Sequence, residues 1–572
     1  MDIINYIKKI PSSKLLDLIH KKYGIEIMNL LNKMFIGYSK DGFNYDLNIT
    51  KKDKAKILVE FKGKNLFKDD ELLSSIFYLF SKKDLRNFEK YYERPNNLNN
   101  EEYKDLLKNK KWKNDPEDSF SKAVIAFFGL DEEDYFFEED AEELSDHEEI
   151  NPFISKDNSD ISKVFPLYSF QKGTKDSLSK ILISNNENNV LLHMPTGSGK
   201  TKTSIEAIVD YWRVTGNRQG YIVWFAHSKE LCEQSYQTFK RIWKVRGDYK
   251  INMYRVYGRH SPMIDDDNGI LFTGFQKFYS LYKKSHPIYN KIKRKVRLII
   301  VDETHKAIAE TYNKSINSLL SSKTILLGLT ATPGRKTDLE HPENYILNDM
   351  FARHLSVHDD EGVELKPSLT NINAIQYLQD KNYLAKIKRK LIDANIKISD
   401  NDLNKDGNLK SEKSFEVSKV YIRNKKILDE IVMAVKKREE TVLVFSTNVP
   451  HALAISFLLQ KIYNIDSQCI LGNTPKSTRD QAIKEFRKGE IPVLINYNIL
   501  TAGFDAPKLG TLIISRVTKS IVLYSQMLGR ALRGSKMGGR KINTVIDMKE
   551  NYDLLGDEQE AFDYFSDFYA NS

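Results

Sequence analysis

Three short stretches of this sequence gather residue types suited to phosphate chemistry. The first, MPTGSGKT from Met194 to Thr201, follows the apolar run VLLH and precedes the amphipathic TSIEAIVDYW. A strand, a glycine-rich loop and a helix in that order aim backbone N–H groups at an anion. They do so at a helix N-terminus, where the dipole favours negative charge. Thr196, Gly197, Ser198 and Gly199 would form the cradle. Lys200 would reach the outer phosphates of a nucleoside triphosphate and Thr201 would hold Mg²⁺. Met194 stands where such loops usually begin with glycine.

The second stretch, VRLIIVDETH, places Asp302 and Glu303 at the end of an apolar strand, which is where α/β sheets bind ligands. Asp302 suits a Mg²⁺ contact, and Glu303 suits polarising an attacking water. The third, YSQMLGRALRG, carries Gln526, Gly529, Arg530 and Arg533. Helical spacing of three and four brings Gln526, Arg530 and Arg533 to one face. Guanidinium forks there suit a transferring γ-phosphate. Lying far downstream, they would complete the site only when a second domain closes on the first.

Those residues need a scaffold, and the texture of the chain supplies one. From about Val164, short apolar runs (NNVLLHM, GYIVWFA, VRLIIVDE, TILLGLTAT) alternate with amphipathic segments, and a similar set returns as TVLVFST, IPVLINY and TLIISRVT. Such alternation predicts parallel sheets with helices on both faces. The fold expected is therefore α/β, with two tandem α/β domains at 156–335 and 416–555. Apolar residues three and four apart predict an all-α domain over 1–115. Residues 116–155 read as an acidic linker, because blocks of like charge are commonly solvated. Residues 336–415 read as a polar connector with helical stretches such as YLAKIKRKLIDANIK, and 556–572 as an acidic-aromatic tail.

Composition narrows the class. No apolar run in the 572 residues approaches the ~20 needed to span a membrane, and MDIINYIKKIPSSK lacks the features of a signal peptide. Two cysteines, Cys232 and Cys469, allow neither a disulfide framework nor a cysteine-rich zinc module. A cytoplasmic setting is expected. The net charge of +10 favours a polyanionic partner, the more so because DEEDYFFEEDAEELSDHEE (131–149) concentrates acids in one place. That run is either a linker or an inhibitory mimic of a phosphate backbone lying in the nucleic-acid groove, with Tyr135, Phe136 and Phe137 as its anchor. Phe67, Phe77, Tyr78 and Phe80 read as core before a base-stacking platform, and Lys108–Lys113 with Trp112 as a solvated helix end or, alternatively, a phosphate contact with Trp112 stacking on a base.

From Phe165 to Asp547 the chain resembles the superfamily 2 helicases, with Asp302–Glu303–Thr304–His305 as a DExH-type box. The resemblance implies that the two α/β domains are RecA-like, and it implies roles for further residues. Gln171, in FPLYSFQ, would contact adenine; Gly503 and Asp505, in LTAGFDAP, would face the nucleotide. Ser228 and Lys229 (motif Ia), Thr273 and Gln276 (LFTGFQKF), Ser446 (motif IV) and Thr501 (motif V) would grip nucleic acid. His305, Thr330 and Thr332 would couple nucleotide state to that grip. The string SRVTKSIVLYSQMLGRALRGSKMGG is most similar to RadD-type bacterial helicases and to restriction-system motor subunits. This resemblance implies an ATP- and Mg²⁺-dependent DNA helicase or translocase of repair or antiviral defence, with DNA favoured over RNA. Protein partners would dock on the N-terminal helical domain. The alternatives are a nucleotide-switched sensor or clamp, and an RNA helicase.

Overall fold

The computed structural model describes residues 2–20, 49–95, 98–136, 145–152, 166–184, 189–215, 220–307, 309–334, 341–365, 373–500, 504 and 506–565. The apolar runs of the first motor region fold as β2 (Asn189–His193), β3 (Gly220–Ala226), β5 (Asn268–Gly274), β6 (Val296–Asp302) and β7 (Ile325–Thr330). Helices cover both faces, so the central residues of these strands are buried without polar alternation. With β1 (His147–Ile150), β4 (Ile251–Val256) and β8 (Arg353–Leu355) they form a sheet ordered β1-β4-β5-β3-β6-β7-β2-β8. Within it β1 alone pairs antiparallel, to β4. Burying side chains such as Trp224 and Phe272 stabilises this core by about 1.5–3 kcal/mol each.

The second sheet is ordered β11-β12-β10-β13-β14-β9 and is parallel throughout. Its strands are β9 (Lys386–Ile392), β10 (Thr441–Phe445), β11 (Ser467–Ile470), β12 (Val493–Asn496), β13 (Leu509–Ile514) and β14 (Ile542–Met548). Strand β9 corrects the helical reading of YLAKIKRKLIDANIK, because KIKRKLI pairs with β14 from Lys386 to Ile392. The alternation of Ile387 and Arg389 with exposed Lys386, Lys388 and Lys390 is the period of a strand, and lysines suit the sheet edge it occupies. The connector read at 336–415 therefore contributes a strand to the second motor sheet.

The helices from Ile3–Ile7 to Glu132–Phe136 surround an aromatic-rich core. Capping boxes at Thr50/Asp53, Ser81/Asp84 and Asn99/Glu102 start three of them. Phe67, Phe77 and Phe80 are buried in this core, whereas Tyr78 is exposed. Trp112 stacks on Phe67 and Phe136, so it is packing and not a base platform. Helix Ser119–Phe128 is core too, which carries the helical domain to Phe136 and corrects the linker reading of 116–155. This domain docks on the second sheet: Lys64 N–H donates to Asn473 O at 2.9 Å, and Ile57 joins the core of that sheet.

The acidic run is structural where it is described. Tyr135 and Phe136 are buried, and Asp134 accepts from Ser477 N–H at 2.9 Å at the start of helix Lys476–Lys488. Glu148, on β1, pairs with Arg255 at 2.9 Å and with Lys240. Phe137 and the other residues of 137–144 lie outside the described residues, as does 566–572. No helix among the described residues is long and apolar enough to cross a membrane.

Candidate nucleotide site and nucleic-acid face

Sheet register brings the first two motifs together. Strand β7 lies between β2 and β6, with His193 beside Thr330 and Leu329 beside Asp302. The loop after β2 and the carboxylates after β6 therefore leave the same edge of the sheet. Met194 extends that order: its N–H donates to Thr330 O at 3.1 Å and its side chain is fully buried. A core anchor thus occupies the position where glycine is usual.

The loop then turns through Gly197 (φ 83°) and Gly199 (φ 86°), a left-handed conformation that favours glycine. Gly199 caps helix Lys200–Val214, so the free N–H groups of its first turn face the loop. A Cβ on Gly199 would collide with Gln171. Gln171 Nε2 donates to Ser198 O at 2.7 Å, and its Oε1 accepts from Tyr168 N–H at 3.0 Å. Both ends of the amide are engaged with protein, so the structure places Gln171 on the loop itself.

Asp302 is buried and Glu303 half-buried, and both are electrostatically linked to Lys200. Burial raises the Asp302 pKa to about 6 against the opposing pull of Lys200. Burial acts upward on Glu303 as well, but Lys200, His305, His227 and Lys306 outweigh it and bring that pKa to about 2. Glu303 sits at φ 55°, a costly conformation for a non-glycine residue and one that gathers at functional sites. His305 Nδ1 lies 3.5 Å from both Glu303 and Thr330 Oγ1. Its Nε2 is buried with no hydrogen-bond partner, and burial lowers the His305 pKa to about 3, so the ring is neutral. Thr330 Oγ1 donates to Thr332 O at 2.6 Å and accepts from Thr332 N–H at 3.0 Å, which closes the turn after β7.

The third motif reaches this edge from the other domain. Helix Ile521–Leu528 presents Gln526, whose Nε2 is buried without a hydrogen-bond partner. In the turn that follows, Gly529 abuts Thr196 so closely that a Cβ would collide with it. Arg530 donates to Phe504 O and lies in the field of Glu303, which opposes the effect of burial on its guanidinium. Arg533 instead donates through Nε to Met537 O at 2.5 Å and faces Tyr168. A cavity of about 20 Å³ lies beside Pro195, Thr196 and Leu528. Sequence reasoning missed Tyr168, whose hydroxyl donates to Lys536 O at 2.5 Å, and Met537, which sits against Gly199.

The residues expected to grip nucleic acid divide. Gln276 is exposed, Ser228 caps helix Lys229–Arg246 and Lys229 is half-buried beside it. Thr273 and Ser446 are fully buried, with hydroxyls donating to Val256 O and to Asn496 O. Neither hydroxyl is presented to a ligand, because each secures a strand end. Thr501, Gly503 and Asp505 lie outside the described residues.

Residues 165–335 match the family described as type III restriction enzyme, res subunit, and residues 423–535 match the helicase conserved C-terminal domain. The chain thus carries a restriction-type helicase domain followed by a helicase C-terminal domain, and it is similar to ATP-dependent helicases and to restriction enzyme subunits. It is 26% identical over 351 residues to IRC3 of Saccharomyces cerevisiae, named as an ATP-dependent helicase, covering 59% of this chain and 45% of that one. It is 22% identical over 408 residues to the EcoAI type I restriction endonuclease subunit of Escherichia coli, covering 66% and 45%. To the DNA 3'-5' translocase XPB2 of Sulfurisphaera tokodaii it is 24% identical over 386 residues, covering 64% and 79%. The chain thus spans under half the length of the first two relatives.

Proposed function

We propose that the chain is an ATP-driven DNA helicase or translocase, whose hydrolytic site is shared by its two motor domains. The observation that carries this reading is the meeting of Gly529 with Thr196, with Arg530 in the field of Glu303. Lys200 and the loop 196–199 bind the phosphates, and Thr201 and Asp302 are the ligands for Mg²⁺. The buried carboxylate beside the glycine cradle fits such a cation, which supplies charge neutralisation at the phosphates when bound. Glu303, held ionised, orients and deprotonates the attacking water. Arg530 and Arg533 stabilise charge on the transferring phosphoryl group only when the domains are closed.

Gln526 Nε2 and His305 Nε2 are buried donors or acceptors awaiting partners in that closed state. His305, bonded to Thr330, would carry the nucleotide's state to the strand ends that face nucleic acid. Ser228, Lys229 and Gln276 contact the strand there, with Thr501 completing the grip and Gly503 and Asp505 facing the nucleotide. Likeness to a restriction subunit and to a DNA translocase supports DNA as substrate, and we assign the chain a cytoplasmic role in defence or repair, with partners docking on the helical domain. ATP turnover measured with single-stranded, duplex and forked DNA and with RNA tests this reading. Stimulation by DNA above RNA is expected, and stimulation by RNA alone would overturn the choice of DNA.

A further inference from the structure

The helical domain docks at one particular edge of the second motor sheet. Strands β10, β11 and β12 are parallel, so the loops that follow them leave the same edge. Ser446 follows β10, Asn473 follows β11 and Leu500 follows β12. Gly63 meets the middle one of these loops so closely that a Cβ would collide with Asn473 O. At φ 49° its backbone also favours glycine. The turn Gly63–Lys68 therefore starts outward from the edge to which Thr501 is assigned.

A stripe of lysines runs away from that dock over the helical domain. Lys64 and the exposed Lys68 lie on the turn itself. Lys111 reaches Asp70, at the start of helix Asp70–Tyr78, at 3.5 Å. At the far end of that helix, the ammonium groups of Lys104 and Lys108 lie 5.4 and 5.3 Å from the Tyr78 ring. Exposed Lys82 and Lys83 then open helix Lys82–Phe88. This placement works against local stability. Lys104 and Lys108 are like charges one helical turn apart, and lysines in a first turn oppose the helix dipole. Tyr78 is 64% exposed, although its helix turns Leu72, Leu73, Ile76 and Phe77 inward. Asp105 pairs with Lys108 and Asp70 with Lys111, but these carboxylates are 65% and 55% exposed, so a polyanion replaces them at little cost. Glu101, one turn before Lys104, is exposed as well.

We propose, resting on the reading of the chain as a DNA motor, that this stripe holds the phosphate backbone of duplex DNA adjoining the motor. The lysines neutralise phosphates, and the Tyr78 hydroxyl donates to one of them, as polar side chains do along DNA backbones. A ring whose face is taken by ammonium groups is no platform for an unpaired base. The surface therefore senses charge without sequence and suits a duplex, whose bases are already stacked. The helical domain lengthens the DNA contact past the two motor sheets, carried by the second of them.

Fluorescence anisotropy of a labelled duplex with the full chain tests this. Lys104→Glu combined with Lys108→Glu and Lys111→Glu should weaken duplex binding at least tenfold and lower the slope of log affinity against log salt by roughly three. The milder pair Lys104→Gln with Lys108→Gln should move both quantities in the same direction by less. Lys436→Glu with Lys437→Glu, exposed on helix Tyr421–Arg438 of the second motor domain, should cost less than about threefold. In the triple variant, ATP turnover at saturating duplex should stay within about twofold while the duplex concentration for half stimulation rises about tenfold, a split that a damaged motor would not give. A single strand of the same length should lose less affinity than the duplex, and an equal loss would overturn the choice of duplex. Polyglutamate that displaces the label as well as unlabelled duplex does would overturn nucleic acid as the occupant in favour of an acidic protein. Duplex affinity and salt slope unchanged by the triple reversal overturn the stripe and leave a DNA motor in place. Failure of the unaltered chain to bind duplex, forked or single-stranded DNA overturns both.

Discussion

The ring of Phe562 lies on the imidazole of His193, with centroids 4.1 Å apart and planes 17° from parallel. His193 ends β2 immediately before the phosphate loop, and Phe562 belongs to the late helix Glu558–Asp563. The same helix reaches the second sheet through Glu558, which binds Arg389 at 2.9 Å. A segment read as an acidic-aromatic tail therefore ties the domains beside the small cavity at Thr196. Contacts made only in the closed arrangement oppose parting of the domains, and their loss shifts that balance by at most their own free energy. Phe562→Ala should tighten binding of a fluorescent ADP several-fold. Unchanged or weaker binding, with the fold intact by circular dichroism, would show that the stack does not restrain the cleft.

Glu303→Gln keeps the size and burial of the side chain and removes its charge. Lys200 and the loop 196–199 are untouched, so nucleotide affinity should stay within a few-fold while turnover falls by roughly 10²–10³. Turnover close to that of the unaltered chain would remove Glu303 from the hydrolytic step.

Stability should fall in mild acid. Burial holds His193, His227 and His305 neutral, with pKa values lowered to about 3, 4 and 3, and His451 is lowered well below the usual value. Depressed histidine pKa values mean that the unfolded chain, not the folded one, takes up protons as pH drops below about 6.5. Asp302, raised to about 6, works in the opposite sense by protonating in the folded state. The histidine effect dominates, so the unfolded chain binds more protons than the folded one and stability falls as pH drops. The thermal midpoint should drop steadily between pH 6.5 and 5. A flat midpoint across that window would mean that these histidines are hydrated in solution.

Glu148 tests the fate of the acidic run. Arg255 is 1% exposed, bonded to Glu148 and Glu233 at 2.9 Å and stacked 3.7 Å from the Tyr236 ring. Removing one partner from a buried charge typically costs about 3–5 kcal/mol. Glu148→Ala should therefore lower the thermal midpoint clearly, with no gain in DNA affinity. Tighter DNA binding at low salt, with the midpoint unchanged, would restore the inhibitory reading of 131–149.

The α/β class, the phosphate loop and the acid pair were legible because each rests on local order: an apolar strand, a turn, then the reactive residue. Strand β9 was not legible, since lysines on a sheet edge and lysines on a helix look alike until the neighbour β14 is known. The burial of Thr273 and Ser446 hides for a related reason, because a hydroxyl that secures a strand end and one that meets a phosphate carry the same letter. Tyr168, Met537 and Phe562 act across the domain boundary, where sequence separation erases any period.

The central claim, that the two domains complete one hydrolytic site when DNA is gripped, is tested most directly by the ratio of ATP turnover with and without DNA. The unaltered chain should turn over at least tenfold faster with saturating DNA. Arg530→Ala should lose that stimulation while still binding DNA in the absence of nucleotide. Turnover that is already high without nucleic acid, unchanged on adding it and insensitive to Arg530→Ala, would contradict the account.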